Sequence, residues 1–439
     1  MPGGQKTLVL ALLVAAFSEP SLAQTMFPGP GAPPENVSSG TVNVDLSSLE
    51  QLALQRNPTL VQAGAQVGIS RGAALQAGLL PNPTVGYLAE EELQGLFVEQ
   101  EIVTGGKLAL SRAKYVQEAQ QAELQVLAQR YRVLHSVRVA YYQALVNQKR
   151  LELERELQAN AEETARTLIE LENVGQANRA DVVQSSLELK RTQTHLQTAT
   201  TELQGSREEL AAVVGAPELA TAELARSQFL NPTQALNREA MLQDILACSP
   251  EIRFARAEVV RDRIALDRER VEPIPNVNLR GQSGYDFETD NTVAGLEVGL
   301  RLPIFDKNQG TIAQAQAELA RAQAEVARVE LMLRQRFARV FSDYETARLS
   351  AQTYQSDLLP QAEEVRRLYL ESFQQRRAAW PQVLSAQRDY YSLYEEYLNT
   401  SLDARRAEAA LSTYLLEGGL DQPQEPAPQG HRDATPKPR

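Results

Sequence analysis

The side chains that could ligate a metal, attack a carbonyl or carry a proton are few in this 439-residue chain, and they stand apart. His135, His195 and His431 are its three histidines and Cys248 its one cysteine. None of them falls at metal-ligand spacing. Met241 and Met332 are the methionines beyond the N-terminal segment. The chain has no G-x-S-x-G nucleophile turn, no phosphate-cradling glycine loop and no H-E-x-x-H pair. Glu90-Glu91-Glu92 offers clustered carboxylates for acid–base work, but a polar loop between two strand-like stretches accounts for them better. The residues therefore predict a non-enzyme, with no catalytic, cofactor-binding or metal-binding site. Function has to be sought in the elements and the shape they build.

The elements announce themselves twice. Leu80-Pro81-Asn82-Pro83 is matched by Glu272-Pro273-Ile274-Pro275, and Asn57-Pro58 by Ser249-Pro250, in both cases 192 positions later. Each copy runs from a helix-like stretch through the Pro-x-Pro element to strands and a long Ala-rich helix, so residues 46–230 and 231–420 are expected to be two internal repeats. Asn231-Pro232-Thr233 marks the junction. Residues 1–23 have the pattern of a signal peptide: Lys6, an apolar core from Leu8 to Phe17, then Ser21-Leu22-Ala23. Cleavage there would leave Gln24 first, with no cysteine to accept a lipid. Residues 24–45 read as an extended linker and 421–439 as a disordered tail.

Composition narrows the class. The net charge is −12 with a pI near 5.1, which leaves no basic face for nucleic acid. Cys248 is expected to be a packed, inert thiol at a helix end. After residue 23 no run of about 18 apolar residues occurs, so any membrane-spanning part has to be made of strands.

The helical signal is long. From Leu108 to Glu172 there is no strong breaker, and a helix of that length would reach roughly 95–100 Å. In the second copy Ile312, Ala315, Leu319, Ala322, Val326, Val329 and Leu333 alternate steps of three and four. The same pattern resumes from Val383 to Tyr414, as in a coiled-coil seam. Leu124, Leu127, Tyr131 and Leu134, then Tyr141 and Leu145, carry a noisier version in the first copy. Pro360 should kink or break the run from Thr311 to Phe373. Each run turns, at Asn173–Asn178 and at Phe373–Arg377, and returns antiparallel. Strands follow each Pro-x-Pro element: Thr84–Ala89 and Leu96–Ile102, then Val277–Gly281 continuing to Phe287, and Leu296–Leu302. In the last, Leu296, Val298, Leu300 and Leu302 share one face while Glu297, Gly299 and Arg301 share the other.

Two readings fit four strands. They cap a soluble periplasmic coiled-coil scaffold, or they are staves of a transmembrane barrel. Single-chain barrels begin at about 8 strands, so the second reading makes oligomerisation compulsory. Only closure satisfies every backbone group in lipid.

The residues at the strand–helix crossings resemble the outer-membrane efflux proteins, the TolC-like ducts of Gram-negative bacteria. Leu80-Pro81-Asn82-Pro83, then Gln100 to Lys107, and above all Leu302-Pro303-Ile304-Phe305-Asp306-Lys307-Asn308-Gln309-Gly310 carry that resemblance across residues 47–420. The subfamily most resembled serves heavy-metal cation efflux. The resemblance implies a mainly α fold with a β-barrel portion: long antiparallel helical hairpins forming an α-barrel, and a homotrimeric 12-stranded barrel in outer-membrane lipid. It implies a passive duct with a periplasmic helical tunnel, working with a periplasmic adaptor and a proton-driven inner-membrane pump. A duct for polypeptide secretion is the alternative within the same fold. It also places the hairpin turns at the periplasmic mouth, making Gly175 and Asp181 tip residues in the first copy. Asp181 is equally explained as a helix-start carboxylate. In the second copy Arg376, Arg377 and Trp380 stand at the tip, where they constrict or bind, or are plain surface. Gln382 and Ser385 replace the aspartates that some members place at the mouth.

Overall fold

The computed structural model describes residues 45–222, 224, 234–375 and 377–423. The signal segment, nearly all of the linker, the junction Asn231-Pro232-Thr233, Arg376 and the tail from residue 424 lie outside the described residues.

Two short helices, α1 (Leu46–Arg56) and α2 (Pro58–Ala77), lead to strands β1 (Thr84–Ala89) and β2 (Leu93–Ile102). Helices α3 (Lys107–Asn173) and α4 (Arg179–Val214) form a long hairpin. The order then runs through α5 (Arg238–Cys248), α6 (Pro250–Val271), β3 (Val277–Asp286) and β4 (Asn291–Leu300). It ends in α7 (Gln309–Thr353), α8 (Leu359–Gln374) and α9 (Trp380–Ser412). At about 1.5 Å per residue, α3 is about 100 Å long. Local chemistry sets the boundaries. Asn57 accepts from the Thr59 amide as α2 opens, with Pro58 in the first turn, where no N–H is needed.

Pro360 does not break its helix. The turn before it, Tyr354–Leu358, widens to a π-helical one, after which α8 continues. Proline has no N–H for the carbonyl four residues back, and the wider turn absorbs that loss.

The four strands form one antiparallel sheet in the order β1-β2-β3-β4. Pairing of β2 with β3, from Leu93↔Asp286 to Ile102↔Val277, joins stretches from opposite halves of the chain. Gly95 and Gly284 meet there. A Cβ on Gly95 would sit 2.2 Å from the Ser283 carbonyl oxygen, and one on Gly284 2.5 Å from that of Gln94. Only glycine permits so close an approach.

The cores lie along the helices. One gathers Leu49, Val133, Val137, Tyr141, Leu210 and Leu398 from α1, α3, α4 and α9; a second gathers Ile245, Ile252, Leu333, Phe337 and Leu411 from α5, α6, α7 and α9. In α3 the buried positions include Gln129, Val133, Val137, Ala140, Tyr141, Ala144 and Leu145, while Leu124, Leu127, Tyr131 and Leu134 are only half-buried. The expected first-copy seam thus holds at Tyr141 and Leu145 but is displaced before them, because α3 packs against α1, α2, α4, α6 and α9 and has no single inner face. At its far end α9 stops at Ser412, and Tyr414 and Leu415 take positive φ values of 56° and 61°. The seam therefore ends before Tyr414, which packs edge-on against Tyr131 at 4.9 Å. Cys248 ends α5 as expected but is exposed rather than packed. Its hydrogen bond to the Asp244 carboxylate pushes the thiol above its ordinary range, which lowers its thiolate fraction.

Candidate functional site: a two-faced sheet and paired hairpin tips

Residues paired across an antiparallel ladder share a face. The register therefore gathers Val85 with Val98, Tyr87 with Leu96, Leu279 with Val298, and Val277 with Leu300 on one side. Most of this apolar face is bare: Leu296 is 73% exposed, and Val85, Tyr87, Leu96, Val98, Val298 and Leu300 are exposed with it. The other side is polar. Glu99 lies opposite Arg280, and Arg280 opposite Glu297, so two carboxylates flank one guanidinium across three strands. The guanidinium also stacks on the Phe97 ring, 4.3 Å from its centroid. Glu99 and Arg280 were not singled out in the sequence. Their signal was the alternation itself, read in register rather than strand by strand. Strand β4 ends at Leu300, so Leu302 belongs to the exposed crossing with Ile304 and Phe305. Strands β1 and β4 have no further partner among the described residues.

The crossing from sheet to helix is knit by polar side chains. Buried Lys107, at the start of α3, donates through Nζ to Asn276 Oδ1 at 2.9 Å, and Asn276 Nδ2 donates to Glu101 Oε1 at 2.7 Å. The Thr104 hydroxyl donates to the Pro275 carbonyl at 2.5 Å, tying the second Pro-x-Pro element to the end of β2. At the other crossing Asn308, with φ 60°, donates to Glu269 Oε2 at 2.7 Å.

At the opposite end the hairpin turns share one hydrogen-bond pattern. The amides of Gln176 and Ala177 donate to the Leu171 carbonyl, and those of Arg377 and Ala378 to the Ser372 carbonyl. Gly175 is exposed at φ 71°, and nothing stands within 4 Å of where a Cβ would be. Asn178 caps α4 by accepting from the Ala180 amide, placing Asp181 in the first turn, half-buried. Arg179 reaches back across the turn to Glu172 at 3.2 Å. Arg377 is exposed, as are Gln382 and Ser385. Trp380 is not at the surface. Its indole is 6% exposed, edge-on to Phe373 at 5.5 Å, in a cluster with Leu168, Val182, Val383 and Leu384. The tryptophan therefore holds the two hairpin tips together.

Of the histidines, His135 is half-buried in α3 and His195 lies 3.8 Å from Glu154, while His431 is outside the described residues. Among the described residues no three His, Cys, Asp or Glu side chains are placed to hold a metal ion, and no helix is long and apolar enough to cross a membrane.

Residues 241–415, from within α5 to just beyond α9, match the family described as outer membrane efflux protein. Over that stretch the chain is similar to this family. It is 25% identical over 379 residues to the cobalt-zinc-cadmium resistance protein CzcC of Cupriavidus metallidurans, covering 84% of this chain and 89% of that protein. Its fold is that of solved outer-membrane channels. The outer membrane protein VceC of Vibrio cholerae superposes with a TM-score of 0.69 at 19% identity, over 85% of this chain and 96% of that one. The channel-forming CusC superposes with a TM-score of 0.70 at 17% identity, over 86% and 93%. The solved structures that share this fold are an outer membrane protein and a protein that forms a transmembrane channel.

Proposed function

We propose that three copies of this efflux protein close a 12-stranded barrel in the outer membrane and continue it inward as a helical tunnel across the periplasm. The reading rests chiefly on the sheet. It is four strands wide, open at β1 and β4, apolar and bare on one face, and polar on the other. In water such a face would be a costly exposed patch, and in lipid two open edges would leave backbone groups unpaired. Copies joined edge to edge remove both costs. The apolar face then meets lipid, and the ladder of Glu99, Arg280 and Glu297 lines a wet lumen.

In this reading residues 1–23 direct export, 24–45 link, and 46–230 and 231–420 act as two equivalent units, each supplying one strand hairpin and one helical hairpin. The tips at Gly175, Asp181, Arg376 and Arg377 meet a periplasmic adaptor that couples the duct to a proton-driven inner-membrane pump. Relationship to a cobalt-zinc-cadmium resistance protein supports metal cations as cargo. That no ligand cluster occurs among the described residues supports passage through water rather than coordination by the wall.

The test is mass and conductance. Purified protein in detergent should weigh as three chains and give discrete conductance steps in a planar bilayer. A monodisperse monomer without conductance would sink the proposal.

A further inference from the structure

Between α3, α4 and α9, beside the cluster that holds Trp380, the helices leave a partly enclosed cavity of about 360 Å³. That is within the size range of small-ligand sites. Its wall is apolar at Leu153, Leu157 and Leu384 and aromatic at Trp380 and Tyr391. Glu154 and Trp380 are among its lining groups that are buried and incompletely satisfied. Glu154 is 8% exposed; its Oε1 stands 3.8 Å from His195 Nδ1, and its Oε2 has no hydrogen-bond partner. The Trp380 indole N–H is buried and has no partner either.

The charges around the cavity do not balance locally. Arg388 and Arg191 both turn to Glu188, the second at 3.9 Å. Glu154 and Glu395, which also line the space, have no lysine or arginine at ion-pair distance among the described residues. A buried carboxylate without a counter-charge is costly. Burial, reinforced by Glu395 and opposed by His195, accordingly pushes the Glu154 carboxyl above its ordinary range.

We infer that this cavity binds a small aromatic ammonium ion, with the ammonium on Glu154 and the ring against Trp380 and Tyr391. A neutral apolar guest would leave the carboxylate desolvated and unpaired, and an anion would be repelled by two carboxylates. A bare metal ion would find too few ligands and leave the apolar wall unused. An organic cation satisfies the carboxylate and buries its ring against aromatic side chains, where aromatic pairing adds to packing. The inference concerns the helical bundle and does not depend on how many copies form the duct.

The chain carries its own reporter, because Trp380 is its one tryptophan. Full-length protein in a non-ionic detergent is titrated with 2-phenylethylammonium and with its neutral counterpart 2-phenylethanol, following tryptophan emission. The ammonium should give a saturable change, and the alcohol should bind about tenfold more weakly or worse, the usual effect of losing a charge-assisted hydrogen bond. Glu154→Gln should weaken the ammonium by a similar factor. Thr164→Phe, which fills the half-buried cavity wall and leaves the carboxylate in place, should abolish the response. Circular dichroism reports whether either variant folds; if neither does, the ammonium–alcohol comparison on the unaltered protein decides. No saturable change, equal responses to the two probes, or a folded Glu154→Gln that titrates like the parent would overturn the inference.

Discussion

Lys107 Nζ donates to Asn276 Oδ1 at 2.9 Å, tying the first residue of α3 to the residue ahead of β3, 169 positions away. Lys107 lies where β2 gives way to α3 and Asn276 where α6 gives way to β3, so this bond and its continuation to Glu101 hold the two crossings in one register. Lys107→Met preserves the packed stem and removes the charged donor, leaving Asn276 Oδ1 with the Thr104 amide at 3.3 Å as its remaining donor. It should lower stability by about 1–3 kcal/mol, the usual range for losing a hydrogen bond to a charged group. Thermal unfolding in detergent measures this, and an unchanged midpoint would mean the bond is idle.

The first tip turn depends on backbone freedom rather than space. Gly175 sits at φ 71° with nothing close to a would-be Cβ. Gly175→Ala should therefore cost about 1–2 kcal/mol from left-handed strain alone, while Gly175→Asn should cost less, because asparagine tolerates that region. Unfolding midpoints ranked glycine, asparagine, alanine would bear this out; alanine and glycine with equal midpoints would refute it.

How far these features were legible varies with their range. Strand faces could be read from Leu296, Val298 and Leu300 because period-two alternation is local, and α3 was bounded to within a residue for want of breakers. The buried seam of α3 was legible only at Tyr141 and Leu145. A helix with five neighbours also buries small and polar residues such as Ala140 and Gln129, which no hydrophobic pattern marks. Trp380 was read as a tip residue with no hint that Leu168 and Val182, from the other hairpin, would cover it. The cavity at Glu154 draws on α3, α4 and α9. Residues more than two hundred positions apart become neighbours there only once the hairpins have packed.

His135 should make stability sensitive to mild acid. Burial lowers its pKa from 6.5, with Glu417 and the Ala409 carbonyl opposing and Arg138 assisting. The unfolded chain therefore binds a proton that the folded one resists. Stability is complete above 6.5 and falls as pH drops through 6.5 toward the folded value. Melting temperatures of the parent and His135→Gln, compared between about pH 7.5 and pH 5.5 around the ordinary histidine value, should diverge, the parent losing more on acidification. Parallel curves would show that this histidine titrates alike in both states.

The two sheet faces should respond oppositely to charge. Leu296 is bare on the apolar side, while its neighbour Glu297 is on the polar one. If the apolar side meets lipid, Leu296→Arg should cost about 2–4 kcal/mol near the bilayer midplane and deplete the assembled form. Glu297→Gln should assemble normally and alter ion preference instead. Heat-modifiable migration on unboiled gels counts assembly, and reversal potentials under a salt gradient report ion preference. Normal assembly of Leu296→Arg would place that face in water.

The mouth makes the last prediction. Arg377 is exposed at the second tip and forms no ion pair among the described residues, while Gln382 and Ser385 beside it carry no charge. Brought around a common axis in three copies, Arg376 and Arg377 would concentrate positive charge at the aperture, disfavouring cations there by long-range repulsion that salt screens within about 10 Å at 0.1 M. Replacing both by serine should raise single-channel conductance and shift preference toward cations, most at low salt and little at 1 M. Trp380 serves as the internal control: it is packed rather than exposed, so Trp380→Phe should leave the salt dependence of conductance unchanged while lowering thermal stability. If the serine variant conducts and selects like the parent at every salt concentration, these arginines are plain surface and the gate lies elsewhere.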